Sequence, residues 1–551
     1  MHFSDLNRTA RATAKRMSIL YNHRELMDPL PACSQENQGA PGYQSHFYLL
    51  GGAELEDRDL KARPRQAPQV FSLRLYETRR AQPETLMKNL KPAHRLAQSL
   101  GCAAILLAVQ PAHAAPAVTP AASSIQKPRV IATTDGEVDD RSSMIRFLLY
   151  TCDFDVAGIV QVNSKYQKNG HSDKKWIEAE LDAYKEVLPN LRKHNPDYPD
   201  TSKLRSVLRV GNENIKDLWA APRDMETKNT PGAQLIIDTL LDQDPRPVHV
   251  LSWGGANTTA SALWKLKTEY PRAKFDYAVS RICIYCIWYQ DGGGGWIQTN
   301  IPQAYINEAY RWNNVWDYQS ISDNPRKKPS ANPPEIQRYM GYQWLAENVA
   351  NNHGPLGALS PQKYVSEGDT PSFLHLVNNG LEAHRDYTLG DWGGRSAYDQ
   401  PGAFPNHLTD RSPGLADDGN ENKMYWRWIP AAQNDFAARM DWCVKELKDA
   451  NHAPVAKVTG PLKRDVKAGE TLKLAATATD PDGHKLTCKW WQYADADSAA
   501  ATVAIANSDS LDQASFIAPN EPGKQVHIIL EVTDNGTPPL VGYQRVICNI
   551  R

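Results

Sequence analysis

The sequence predicts an α/β domain with a mostly parallel sheet flanked by helices, followed by a small all-β sandwich. Two observations carry the first half: from Pro128 to about Leu447 short apolar strands alternate with amphipathic helices, and polar or glycine-rich loops interrupt the pattern at strand ends. A third carries the sandwich: after Asn451-His452-Ala453-Pro454 the texture turns to alternating strands separated by turn signals. At 551 residues the chain exceeds what one hydrophobic core sustains, so several domains are expected.

Residues 1–86 mix Arg, Pro and Gln without a sustained period. We expect them to be a non-native start-site artefact or a disordered extension. Residues 87–114 have the three parts of a secretory signal: Lys88, Lys91 and Arg95, an apolar stretch from Leu100 to Val109, and Ala112-His113-Ala114 as a small-x-small cleavage site. That apolar stretch is too short to span a bilayer, which needs roughly twenty residues. A secreted or periplasmic protein with translation beginning at Met87 is the expectation.

The α/β domain is expected over 126–448. Val130-Ile131-Ala132 is its first strand, Ser143 to Tyr150 its first helix, and Phe154 to Val162 its second strand. Residues 176–190 and 232–242 read as helices, and Pro247 to Ser252 as a strand that breaks at Gly254-Gly255 before the helix Thr258 to Lys267. Strand, helix, strand in that order implies right-handed crossovers, with the ligand site beyond the carboxyl ends of the strands. Residues 452–551 carry strands at Thr471 to Ala475 and Val526 to Val532, with turns at Asp480-Pro481-Asp482-Gly483 and Asp534-Asn535-Gly536. This reads as an immunoglobulin-like β-sandwich, in which Trp490 and Trp491 alternate between inside and outside and Cys488 and Cys548 are candidates for a bridge.

With 62 basic and 63 acidic residues the net charge is −1. That balance supplies no electrostatic reason for a nucleic acid or an anionic membrane as partner. Cys283-Ile284-Tyr285-Cys286 lies in an apolar run and reads as buried core, not as a redox pair, and one CxxC is weak evidence for zinc. Gly292 to Gly295 reads as a flexible loop outside any nucleotide-binding context.

The chemistry concentrates at Asp135, Glu137, Asp139 and Asp140, directly after the first strand. Crowded carboxylates raise one another's pKa unless a positive charge sits among them. Either an aspartate caps the following helix while the rest stay in solvent, or a hard divalent cation sits among the oxygens.

Asp135-Gly136-Glu137-Val138-Asp139-Asp140 is similar to the calcium motif of nucleoside hydrolases, an Asp-x-Asp-x-Gly-x-Asp-Asp pattern. It is closer still to a nucleoside hydrolase-like branch of cellulose-binding proteins, which ends in an immunoglobulin-like domain. Further matches follow in order at Phe154-Asp155-Val156-Ala157-Gly158-Ile159, Trp296 to Pro302, Glu367 to Phe373, and Gly390-Asp391-Trp392-Gly393-Gly394-Arg395. The resemblance implies that Asp135, Asp140 and Asp369 ligate Ca2+ together with a backbone carbonyl near Trp253 or Gly254. It implies a water poised on the ion as nucleophile, with Asp135 as catalytic general base, and Asp139, Asn163 and Asn300 on the sugar hydroxyls. Trp253, Trp288, Trp296 and Trp392 lie near strand ends or in glycine-rich loops, where aromatic faces suit sugar rings; Trp296 and Trp392 are the expected substrate-binding pair.

The chain also departs from the hydrolase pattern. Thr133 stands for its first aspartate, Gly136-Glu137 for its Pro-Gly, and Gln298 for a glutamate beside the sugar. Gly368 replaces the histidine that protonates the leaving base in some members. Glu367 and Asp391 are then the candidate proton donors, while His171 lies in the polar loop from Asn163 to Asp173, read either as a solvated loop histidine or as part of a segment that closes over the site. Two functions follow as expectations: an exported calcium-dependent glycosidic-bond hydrolase acting on a carbohydrate-related substrate, or a non-catalytic cellulose or carbohydrate binder that retains the sugar site.

Overall fold

The computed structural model describes residues 126–317, 330–361 and 367–551; the expectations for 1–86 and 87–114 lie outside them. An eight-stranded sheet has the order β3-β2-β1-β4-β5-β6-β8-β7. Its strands are β1 (Arg129–Thr134), β2 (Asp155–Gln161), β3 (Leu208–Val210), β4 (Val248–Ser252), β5 (Ile282–Ile287), β6 (Tyr305–Ala309), β7 (Ala397–Tyr398) and β8 (His407–Thr409). Every neighbouring pair is parallel except β7 with β8.

Alternation along the strands decides which residue serves which layer. On β1, Val130 and Ala132 join the core on one face, while Ile131 joins the core on the other. Buried on both faces, the strands read as near-continuous apolar runs. Helices α1 (Val138–Tyr150), α2 (Trp176–His194) and α7 (Ile429–Asp441) cover the first face. Helices α3 (Pro231–Leu241), α4 (Asn257–Glu269), α5 (Arg272–Val279) and α6 (Gly292–Asn300) cover the second. The chain reverses its strand order between β1 and β4, so loops leaving their carboxyl ends diverge and open a crevice there.

Two helix starts differ from expectation. Helix α1 begins at Val138, not Ser143, because extended Glu137 lets the backbone turn directly after Gly136, which has φ +79°. Asp139 and Asp140 therefore lie in its first turn, where the helix dipole favours negative charge. The glycines 292–295 are the first turn of α6, with Asp291 capping it by accepting from Gly293 N at 2.8 Å. A Cβ on Gly293 would meet the Ala256 and Asn257 backbone at 2.5 Å, so the run serves close helix packing and is not a loop.

Strands β9 (Val455–Val458), β10 (Lys463–Val466), β11 (Thr471–Leu474), β12 (Ala476–Thr479), β13 (Thr487–Gln492), β14 (Ala514–Ile517), β15 (Gln525–Thr533) and β16 (Val541–Ile550) form the sandwich. One sheet runs β10-β16-β15-β13, and β11-β14 and β12-β9 are antiparallel pairs. Trp490 is buried in its core, while Trp491 packs against Trp428 of the α/β domain with ring centroids 6.0 Å apart. Cys488 and Cys548 are free thiols. They lie opposite Val532 and Val526 on the intervening strand β15. Six residues along β15 (about 20 Å) and two strand spacings (about 9–10 Å) separate them, far beyond the Cα–Cα reach of about 7 Å that a disulfide allows.

The α/β domain and the sandwich are bonded through backbone: Tyr543 N donates to Asn379 O at 3.0 Å and Arg545 N to Gly380 O at 3.1 Å. Buried Arg545 also donates from Nε to Leu381 O at 2.8 Å. Among the described residues no helix is long and apolar enough to cross a membrane.

Candidate active site and metal centre

Asp135 leaves the end of β1 and is 2% exposed. Its amide donates to Asp140 Oδ1 at 3.0 Å, and the Thr134 hydroxyl donates to the same oxygen. Gly254, after β4, lies so close that a Cβ would meet Asp135 Cβ at 2.8 Å; only glycine allows that approach. Asp369 comes from the far end of the chain. Ser372 Oγ donates to its carbonyl at 2.6 Å, and Trp253 Nε1 donates to Ser372 Oγ at 2.8 Å, which ties the Asp369 loop to β4.

Asp139, Asp140 and Asp369 each place one carboxylate oxygen within 4.8 Å of the other two. The expected ligands Asp140 and Asp369 thus meet. Asp139, assigned from sequence to the sugar, meets them too, and Asp135 adjoins the trio through Asp140. Burial pushes the Asp135 and Asp139 carboxyls up to about 7 and the Glu137 carboxyl up to about 8, with neighbouring carboxylates adding to the rise. Asp140 is pushed well above the ordinary range first by burial and then by Asp135, and Asp369 first by burial and then by Asp140, Asp139 and Asp135. Asp135 Oδ2 and Asp369 Oδ2 are buried without a hydrogen-bond partner. An all-oxygen donor set of this charge, with two orphaned oxygens, fits a hard divalent cation.

Aromatic side chains border this crevice. Trp288 follows β5 directly with φ +61°, a conformation that a bulky residue holds only under tertiary constraint. Its ring centroid lies 5.6 Å from that of Tyr310, which follows β6, 6.2 Å from Trp312 and 6.4 Å from Tyr166. Tyr166 is half exposed, and the Lys165 ammonium sits 4.8 Å from its ring and 5.0 Å from that of Trp288. The ring of Trp312 covers Gly368. A Cβ there would fall 2.5 Å from Trp312 Cζ3 and 2.7 Å from Asp139 Oδ2, so Trp312 fills the room that a histidine at 368 would need.

Other sequence-predicted residues lie elsewhere. Asn163 is buried beside the site, but its amide donates to Lys168 O at 2.9 Å and shapes its own loop. Asn300 is exposed at the last residue of α6, donating to Trp296 O at 2.9 Å. That nine-residue helix starts at the carboxyl edge of the sheet and runs about 13 Å back toward the other edge, which carries Asn300 away from the carboxylates. Trp296, on the same helix, packs against the second core. Trp392 is 2% exposed, edge-on to Tyr543 of the sandwich, and offers no face to a sugar.

Two candidate proton donors are engaged. Buried Glu367 takes a bidentate pair from buried Arg146, at 2.6 and 2.7 Å. Asp391 Oδ1 pairs with His375 Nδ1 at 2.7 Å, both side chains enclosed. His171 Nδ1 lies 2.9 Å from Gly136 O, beside the carboxylate loop. Sequence reasoning missed Tyr166, Tyr310 and Trp312; aromatics placed directly after β5 and β6 were the available signal.

Residues 129–396 match the family described as cellulose-binding Sde182, nucleoside hydrolase-like domain, and residues 471–550 match the cellulose-binding protein Sde0182 C-terminal domain. A solved structure from Saccharophagus degradans, a nucleoside hydrolase-related hypothetical protein associated with carbohydrate metabolism, is 31% identical. The match covers 77% of this chain and 100% of that one, with a TM-score of 0.65. No curated protein matches the chain.

Proposed function

Because the chain belongs to the Sde182 family of nucleoside hydrolase-like, cellulose-binding proteins, we propose that it is an exported, calcium-dependent hydrolase of a glycosidic bond in a carbohydrate related to the plant cell wall. The observation that carries the reading is the buried, unpartnered Oδ2 of Asp135 beside the Asp139, Asp140 and Asp369 oxygens.

Calcium, when bound by Asp139, Asp140 and Asp369, supplies the positive charge that lets these carboxylates ionise together and acidifies a nearby water. Asp135 Oδ2, buried and unpartnered, is placed to accept the proton of an attacking water as the water oxygen bonds to the anomeric carbon. The ionised carboxylates stabilise the oxocarbenium-like charge of the transition state. Tyr166, Trp288 and Tyr310 bind the sugar's apolar C–H surface. The glycosidic bond breaks toward the leaving group, which takes its proton from solvent or from His171.

A second reading is non-catalytic carbohydrate binding at the same pocket. The engagement of Glu367 by Arg146 and of Asp391 by His375 favours it, since neither is free to protonate a leaving group.

Wild type and Asp135→Asn, assayed on nucleosides and oligosaccharides for reducing-sugar release and for retention on cellulose, separate the two. Turnover lost in the variant with retention kept supports hydrolysis. No release by wild type, with equal retention of both proteins, refutes it and leaves binding.

A further inference from the structure

A second set of metal-type donors lies in the sandwich, away from the carboxylate pocket. Asp480, His484 and Asp534 each place one ligand atom within 4.8 Å of the other two. Asp480 and His484 flank the turn between β12 and β13, and Asp534 follows β15.

The group is prearranged. Asp480 Oδ1 accepts from Asp482 N and His484 N, each at 2.9 Å, which fixes the carboxylate plane. Its side chain is only 2% exposed, yet Oδ2 has no hydrogen-bond partner, and His484 Nδ1 is a second buried atom without one. A carboxylate oxygen withdrawn from water and left unmatched is costly, unless an absent group supplies the contact. Asp534 Oδ1 accepts from Gly536 N and Leu540 N at 2.9 Å. Asn451 Nδ2 donates to both Asp534 oxygens, at 3.2 and 3.1 Å. The neighbouring His452 N donates to Asp482 Oδ2 at 2.7 Å, so the group adjoins the segment that joins the two domains.

We propose that Asp480 Oδ2, His484 Nδ1 and Asp534 hold a divalent cation of the zinc class, which fastens the 480–484 and 534–540 loops beside the Asn451-His452 connection. Two aspartates balance the charge of a dication, and an imidazole nitrogen selects a borderline metal over calcium. The His484 side chain is about one-third exposed, which leaves water access for a fourth ligand.

The test uses the full chain stripped of metal, with calcium present throughout so that the carboxylate pocket is not the reporter. Zn2+ titrated by calorimetry is expected to bind one equivalent and to raise the melting temperature. Co2+ in its place is expected to give a visible d–d band. His484→Ala, at a partly exposed position, and Asp480→Asn, which keeps the oxygen that accepts the turn amides, are each expected to weaken Zn2+ binding about tenfold or more and to abolish the band. Asp369→Asn is expected to leave both signals unchanged. Zn2+ affinity equal in wild type and both variants, no Zn2+ binding, or calcium preferred over Zn2+ at these residues would overturn the proposal.

Discussion

Gly368→Ala is the smallest perturbation that probes how the pocket departs from a histidine-bearing one. The added Cβ would sit 2.5 Å from Trp312 Cζ3, 2.7 Å from Trp312 Cη2 and 2.7 Å from Asp139 Oδ2. All three are inside van der Waals contact. Trp312 is 5% exposed and packed in the core, so the ring has little room to retreat. Overpacking of this kind costs about 1–3 kcal/mol. The relief available is movement of the Asp139 carboxylate, and each 1.4 kcal/mol lost at a ligand weakens binding about tenfold. Urea unfolding should therefore show destabilisation of about 1–3 kcal/mol, and calorimetry a calcium affinity reduced about tenfold. Gly368→His should be worse, and should recover when combined with Trp312→Ala, which vacates the space. Unchanged stability and calcium affinity in Gly368→Ala would refute the argument that Trp312 and Asp139 enclose this position.

Glu367→Gln removes the carboxylate from its buried bidentate pair with Arg146, and we expect a loss of about 3–5 kcal/mol in urea unfolding; stability within 1 kcal/mol of wild type together with lost turnover would instead make Glu367 the acid. Calcium affinity should rise with pH from about 4 to about 8: the buried Asp135, Asp139 and Glu137 carboxyls, ordinarily at 3.8, 3.8 and 4.5, hold protons up to about 7, 7 and 8, and calcium must displace them. Across the same window the metal-free protein should lose stability as pH rises, because the folded state binds more protons than the unfolded one. Calorimetry showing a flat affinity from pH 5 to 8 contradicts this. Tyr166→Ala, at an exposed ring, should weaken oligosaccharide binding by about 1 kcal/mol, roughly fivefold, without moving the melting temperature; unaltered affinity would remove the aromatic border from the binding surface.

The α/β layering and three of the clustered carboxylates of the candidate site were legible along the chain. Apolar runs bounded by helical periods identify buried parallel strands, since a strand covered on both faces has no polar side to hide its signal. The motif after β1 also identifies Asp135, Asp139 and Asp140, because local spacing brings them together on one turn. Asn300, Trp296 and Trp392 were misread because motif matching records order along the chain and not which way a helix runs or which surface a domain covers. Helix α6 carries Asn300 off the pocket, and the sandwich buries Trp392. That Asp369 joins Asp139 and Asp140, that Arg146 pairs with Glu367, and that Trp312 takes the space above Gly368 came from the folded packing alone. These are contacts between residues far apart in the chain, fixed by packing against a shared core, and no local pattern encodes them.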